Sequence, residues 1–233
     1  MNANIFGTRR NIDVVFCIDA TGSMFPCLDE VKANACRFHI ELASAMTDLG
    51  SELDSLRVKV IVFRDYEDGE KLAMAQSSFF ELPADQDEFS SYMAGITATG
   101  GGDGPENGLE ALYYAMKSDF TTGSKDRQII VLFTDADALE LGQRSHLAGY
   151  PADMVDENGL IELWVNAAAK QDPSVKLGEK IKRLVMFAPS GTKYDTLKTS
   201  LNRSIFYPVD DHDGLRNISF DVIIKQIAAS ASN

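Results

Sequence analysis

The chain has 233 residues, with 22 basic against 35 acidic side chains and a formal charge of −13. That balance argues against nucleic acid or an anionic membrane as partner, because both bind clustered lysine and arginine. No segment approaches the ~18 apolar residues needed to span a bilayer, the first ten residues hold no apolar signal core, and three cysteines, an odd number, fit reduced thiols better than a disulfide framework. A cytoplasmic, bacterial protein is the expectation, built as one domain over residues 1–233 with its core at about 12–230.

The elements alternate. Residues 14–18 form a short, partly β-branched run without polar alternation, the pattern of a strand buried on both faces of a parallel sheet. Residues 28–49 carry apolar side chains at helical spacing, Val31, Phe38, Leu42, Ala45 and Leu49 among them, and stop at Gly50. A second strand is expected at 58–63, a short antiparallel edge strand at 71–80, and a helix at 85–95. Pro105 suits the first position of a helix reaching Lys117. Residues 129–133 read as the fourth strand. Beyond them Leu160, Leu163, Trp164, Ala167 and Ala168 make one helical face ended by Pro173, and 175–180 offers another turn or two. A fifth strand at 184–188, a small helix at 194–200, a last strand at 204–207 and an amphipathic helix at 218–229 complete a doubly wound, mostly parallel six-stranded α/β sheet with one antiparallel edge strand and helices on both faces.

Chemistry concentrates where the first strand ends. Asp-Val-Val-Phe-Cys-Ile-Asp-Ala-Thr-Gly-Ser-Met, residues 13–24, delivers the oxygens of Asp19, Thr21 and Ser23 to one turn that Gly22 lets bend. Such turns lie at the carboxyl edge of the sheet, where open α/β folds bind ligands. Hard oxygen donors suit Mg²⁺, Mn²⁺ or Ca²⁺ rather than zinc. The bland alternative for Asp19 is a helix N-cap. Thr-Ala-Thr-Gly-Gly-Gly-Asp-Gly-Pro-Glu at 97–106 and Ile-Ile-Val-Leu-Phe-Thr-Asp-Ala-Asp at 129–137 supply Glu106 and Asp135 as further acids, with Asp137 read as a solvated loop acid.

Together these three segments resemble the von Willebrand factor A domain, whose metal-ion-dependent adhesion site opens with Asp-x-Ser-x-Ser; threonine is the middle hydroxyl here. The resemblance implies a Rossmann-like fold and a metal set of Asp19, Thr21, Ser23, Glu106 and Asp135. The order Asp103, Gly104, Pro105, Glu106 is similar to the metal loop of integrin β-subunit I-like domains. That likeness implies a neighbouring calcium held by Asp65, Asp103, the Pro105 carbonyl and Glu106. Gly101 stands where that site has asparagine, and Pro26 and Cys27 stand where a third integrin site has acids. Without a second cation, Asp65 would pair with Arg64 or Arg127.

Other chemistries lack their signatures. The glycines at 100–104 form neither a dinucleotide fingerprint nor a P-loop. His39, His146 and His212 have no partner spacing, and the cysteines read as three core or half-buried thiols. The expectation is a non-enzymatic binding module, an intracellular adaptor or scaffold that grips an Asp or Glu of a partner protein through Mg²⁺ or Mn²⁺. Kinases, phosphatases and AAA-type ATPases are the partners implied by the resemblance. The alternatives are a Mg²⁺-dependent phosphoryl-transfer or hydrolytic enzyme, and a secreted or surface adhesin.

Overall fold

A computed structural model describes residues 8–101, 104–166, 174–209 and 218–232, without the side chain of Cys27. Asp103, His212 and the residues Ala167, Ala168 and Pro173 named above lie outside the described residues. The order is β1 (Thr8–Asp19), α1 (Phe25–Asn34), α2 (Phe38–Asp48), β2 (Ser51–Phe63), α3 (Glu70–Ala73), β3 (Met74–Gln76), β4 (Phe80–Leu82), α4 (Gln86–Gly95), α5 (Gly108–Met116), β5 (Asp126–Phe133), α6 (Glu157–Val165), β6 (Lys182–Pro189), α7 (Lys193–Ser200), β7 (Ser204–Val209) and α8 (Phe220–Ser232).

The sheet runs β3-β2-β1-β5-β6-β7, with β4 also on β2. Its five long strands are parallel, and β3 and β4 run antiparallel to β2. Central β1 explains the unbroken apolar run: Ile12, Val14, Phe16 and Ile18 pack on one face of the sheet and Val15 and Cys17 on the other. Alternate side chains of a strand point to opposite faces, so a strand covered on both sides must be apolar throughout. α1, α2, α4 and α8 cover the first face, and α5, α6 and α7 the second. Asp19 pairs with Phe63 and Ile18 with Phe133, so β1, β2 and β5 end level and their loops share one edge.

Several expectations need correction. The sheet has seven strands rather than six, because the segment 71–80 opens as a helical turn and its strand is interrupted at Ser77. The Ser77 hydroxyl accepts from the Val60 amide and donates to the Ser78 carbonyl, replacing the ladder there. The helix read over 28–49 breaks into α1 and α2 at a 3₁₀ turn, Ala35–Arg37. There the Asn34 amide takes the Glu30 carbonyl, and Gln86 of α4 donates to the Ala35 carbonyl, side-chain bonds that compete with the helical ladder. No helix forms at 175–180: buried Gln128 accepts from the Gly178 amide and donates to the Lys176 carbonyl, holding the segment by other bonds. Pro105 is not helical either, since α5 begins at Gly108. Cys17 is buried as read, but Cys36 is exposed. No helix among the described residues is long and apolar enough to cross a membrane.

Candidate metal centre at the carboxyl edge of the sheet

Asp19 is the last residue of β1 and has no exposed surface. Its Oδ1 accepts from the Thr21 amide at 2.9 Å and the Thr21 hydroxyl at 2.7 Å, and its Oδ2 accepts from the Thr134 hydroxyl at 2.7 Å. The turn is therefore wound around the carboxylate. Ser23 Oγ lies 3.3 Å from Thr21 Oγ1 and donates to Asp135 Oδ1 at 3.0 Å. Asp19, Thr21, Ser23 and Asp135 thus form one connected set, as the sequence suggested.

Glu106 joins it from the second loop. It does not cap a helix; it pairs as an isolated parallel bridge with Ala138, its amide donating to the Asp137 carbonyl and its carbonyl accepting from the Leu139 amide. A Cβ on Gly101 would lie 2.7 Å from Thr21 Cβ and 3.2 Å from Glu106 Oε1, which places the glutamate beside the threonine. Gly100 and Gly101 have φ of +73° and +66°, the left-handed region that glycine reaches without strain. Only a bare backbone passes between the two loops here.

The electrostatics are unfavourable without a cation. Burial pushes the Glu106 carboxyl up to about 8, with Asp19, Asp65 and Asp68 adding to the rise, and its Oε2 is buried with no hydrogen-bond partner. Burial likewise lifts Asp19 to about 6 against the hydrogen bonds from Thr21 and Thr134. Desolvation disfavours the charged form of an acid unless an opposite charge is near. Both hydroxyl hydrogens point to carboxylates, Thr21 to Asp19 and Ser23 to Asp135, which leaves their lone pairs for a hard cation. Among the described residues no three His, Cys, Asp or Glu side chains make a ready cluster by themselves. The donors that fit Mg²⁺ or Mn²⁺ are the two hydroxyls with Glu106, and with Asp19 and Asp135 behind them.

Asp65 lies in one cleft with Pro105 and Glu106, and it has an ion-pair partner that the sequence did not suggest. Its partner is Arg144, not Arg64 or Arg127: Arg144 Nε lies 2.8 Å and 3.1 Å from the two carboxylate oxygens, and a second guanidinium nitrogen pairs with Oδ2. The cleft, of ≈ 160 Å³, opens beside them, walled by Glu67, Asp68, Glu106 and Arg144. Asp137 is a brace rather than a solvated acid, its Oδ1 accepting from the Ala138 amide at 2.7 Å and from the Lys193 amide at the start of α7 at 2.8 Å.

Besides Arg144, the roles of Thr134, Arg64 and Asp68 escaped sequence reasoning. Thr134 anchors Asp19. Arg64, 4 % exposed, donates to the carbonyls of Ala20, Thr97, Thr99 and Leu72 and so clamps the first two loops together. Asp68 accepts from the Gly101 amide at 3.2 Å. The one available signal for Arg64 was a charged residue following a strand that is otherwise wholly apolar toward its end.

A von Willebrand factor A domain profile matches residues 13–149, a span that contains all three metal-edge segments. Alpha-protein kinase vwkA of Dictyostelium discoideum is 24% identical over 149 residues, 64% of this chain and 22% of that protein. Two structures of the pilus adhesin SpaC from Lactobacillus rhamnosus GG, one in an open conformation, superpose with TM-scores of 0.56 and 0.54 at 10% and 11% identity. Those superpositions cover 96% of this chain and 31% and 30% of the adhesin. The chain spans less than a third of each relative's length, and at such identity the adhesin likeness speaks for the fold alone. With more than half of its residues matched by one family profile, the chain belongs to the von Willebrand factor A domain family.

Proposed function

We propose that this domain is a metal-dependent protein-binding module. The family is one of protein-interaction modules. The observation that carries the metal-dependent reading is the pair of adjacent hydroxyls whose hydrogens are already given to Asp19 and Asp135, beside a buried Glu106 oxygen that has no partner. Thr21, Ser23 and Glu106 would hold Mg²⁺ or Mn²⁺, and Asp19 and Asp135 would orient the hydroxyls. Bound there, the ion supplies a positive centre for a carboxylate of the partner. The chain's own part is to fix the donors and keep the Asp19 side dry.

The partner would offer Asp or Glu, in the setting of a cytoplasmic bacterial adaptor that serves a kinase, phosphatase or AAA-type ATPase. We read the role as binding rather than catalysis. The kinase activity in the name of the Dictyostelium protein belongs to a chain of which this match covers 22%, and it is not carried over.

Pull-down with the immobilised domain in Mg²⁺ and in EDTA tests the reading. Capture in Mg²⁺ that is lost in EDTA and with Ser23→Ala supports it, since removing one end of a desolvated charged contact costs about 2 to 5 kcal/mol. Capture that is unchanged by both treatments overturns it.

A further inference from the structure

The opposite edge of the sheet carries a second concentration of charge, of the other sign. Each of four adjacent strands has an arginine at or near its start: Arg10 third in β1, Arg127 second in β5, Arg183 second in β6 and Arg203 immediately before β7. The register sets them in a diagonal row, with Arg127 beside Ile12, two residues beyond Arg10, Arg183 beside Ile129, two residues beyond Arg127, and the Arg203 carbonyl accepting from Leu184, the residue after Arg183. They also share a face. Ile12, Ile129 and Val185 lie two residues beyond Arg10, Arg127 and Arg183, and all three pack in the core beneath α8. α8 starts against Phe38 and Glu30 and has 13 residues, a rise of about 20 Å. That rise carries its last turn down to the arginine row. The hydroxyls of Ser230 and Ser232 in that turn are buried without partners.

The row stands out in a chain of charge −13. No carboxylate among the described residues forms an ion pair with any of the four. Glu52 and Asp54 pair with Arg9, and Glu179, which also feels the Arg203 charge, pairs with Lys182. Among the described residues Arg127 Nη1 bonds the Asp126 carbonyl, and Arg183 Nη1 those of Lys180 and Lys182. The Nε atoms of Arg10 and Arg127 are buried with no partner, and Arg127 is 6 % exposed. Burial, with Arg10, Arg183 and Arg203 adding to it, drops the Arg127 guanidinium to about 10. The carbonyl end of α8 contributes a fractional negative charge.

We propose that this arginine row is a binding site for a phosphoryl group. Arg203 is exposed, Arg183 and Arg10 are half-buried and Arg127 is buried, a gradient of exposure that suits a terminal phosphate better than the side of a nucleic-acid duplex. A tetrahedral dianion accepts bonds from several guanidinium forks at once, and the serine hydroxyls add neutral donors. A free polyphosphate-type anion and a phosphorylated side chain present the same group.

Thermal unfolding in EDTA, which keeps the other edge of the sheet free of metal, tests the site with two probes at constant ionic strength: sodium pyrophosphate against chloride, and a short phosphoserine peptide against its unphosphorylated form. At tenfold excess over the dissociation constant, either ligand raises the wild-type Tm by roughly 3 to 6 °C. Arg183→Gln and Arg203→Gln, both at the accessible end, fold and lose that rise. A rise with pyrophosphate alone identifies a free anion as ligand, and a rise with the phosphopeptide identifies a modified side chain. No rise with either probe, or an equal rise in both variants, overturns the proposal.

Discussion

Asp19 Oδ2 accepts from Thr134 Oγ1 at 2.7 Å, a bond that ties the end of β1 to the end of β5 across 115 residues. With Oδ1 taken by Thr21, the carboxylate is fixed at both oxygens, and the hydroxyl it orients is the one proposed to meet the cation. Thr134→Val keeps the shape and removes the donor. Mn²⁺ affinity by calorimetry should fall 10- to 100-fold, the usual loss when an outer partner of a ligand is removed, while Thr134→Ser should stay near wild type. Equal affinities in all three would detach Asp19 from the metal.

Cation binding should stabilise the fold, because it acts on a buried acid with one unpartnered oxygen. At a hundredfold excess over the dissociation constant the gain is about 2.7 kcal/mol, or roughly 5 to 10 °C in Tm for a chain of this size. Superimposable melts in Mg²⁺ and EDTA would exclude a site of useful affinity.

The same acids set a pH dependence in EDTA. Glu106 at about 8 and Asp19 at about 6 lie above their ordinary values of 4.5 and 3.8. Between about pH 4 and pH 8 the folded chain therefore keeps protons that the unfolded chain has released, and stability falls as pH rises. The loss is on the order of a few kcal/mol for the two groups together. Urea midpoints at pH 5 and pH 8.5 measure it, and Glu106→Gln should flatten the slope. A midpoint that rises over this range would show that the carboxylates are compensated by something other than a metal.

Gly101→Ala forces a left-handed backbone on alanine and drives its Cβ to 2.7 Å from Thr21. It should cost more than about 1 kcal/mol in denaturant unfolding and weaken Mn²⁺ binding, because the displaced residue is a proposed ligand. Gly104→Ala, whose Cβ would meet nothing within 4 Å, is the control, and equal behaviour of the two would contradict the packing.

A calcium beside the first cation would have to displace Arg144 from Asp65. Arg144→Ala should then raise Ca²⁺ affinity in saturating Mg²⁺ by about tenfold, since it frees a carboxylate held by a forked pair. Asp65→Ala should abolish that binding. Calorimetry showing one class of site in every variant would reduce Asp65 to a partner of Arg144.

Much of this edge was legible because its signals are local. Asp19 ends an apolar strand with Thr21 and Ser23 in the turn after it, and Asp135 follows the end of another, so strand identity alone brings them together. What stayed hidden depends on contacts over long separations: Arg144 reaches Asp65 across 79 residues and Arg64 gathers carbonyls from three segments. The missed breaks in regular structure have a common cause. Ser77, Asn34 and Gln128 each spend a side-chain hydrogen bond on backbone, and a hydrophobic period registers which face is apolar, not whether a polar neighbour takes the ladder's place.

The bridge between Glu106 and Ala138 has a mechanical consequence. Because backbone bonds run from Glu106 to Asp137 and Leu139, the second and third loops cannot move independently at this point. Asp137 extends the linkage to the Lys193 amide and thus to the first turn of α7. A displacement of Glu106 by even a fraction of an ångström is therefore shared with the helix layer on the α7 side of the sheet, the layer opposite α8.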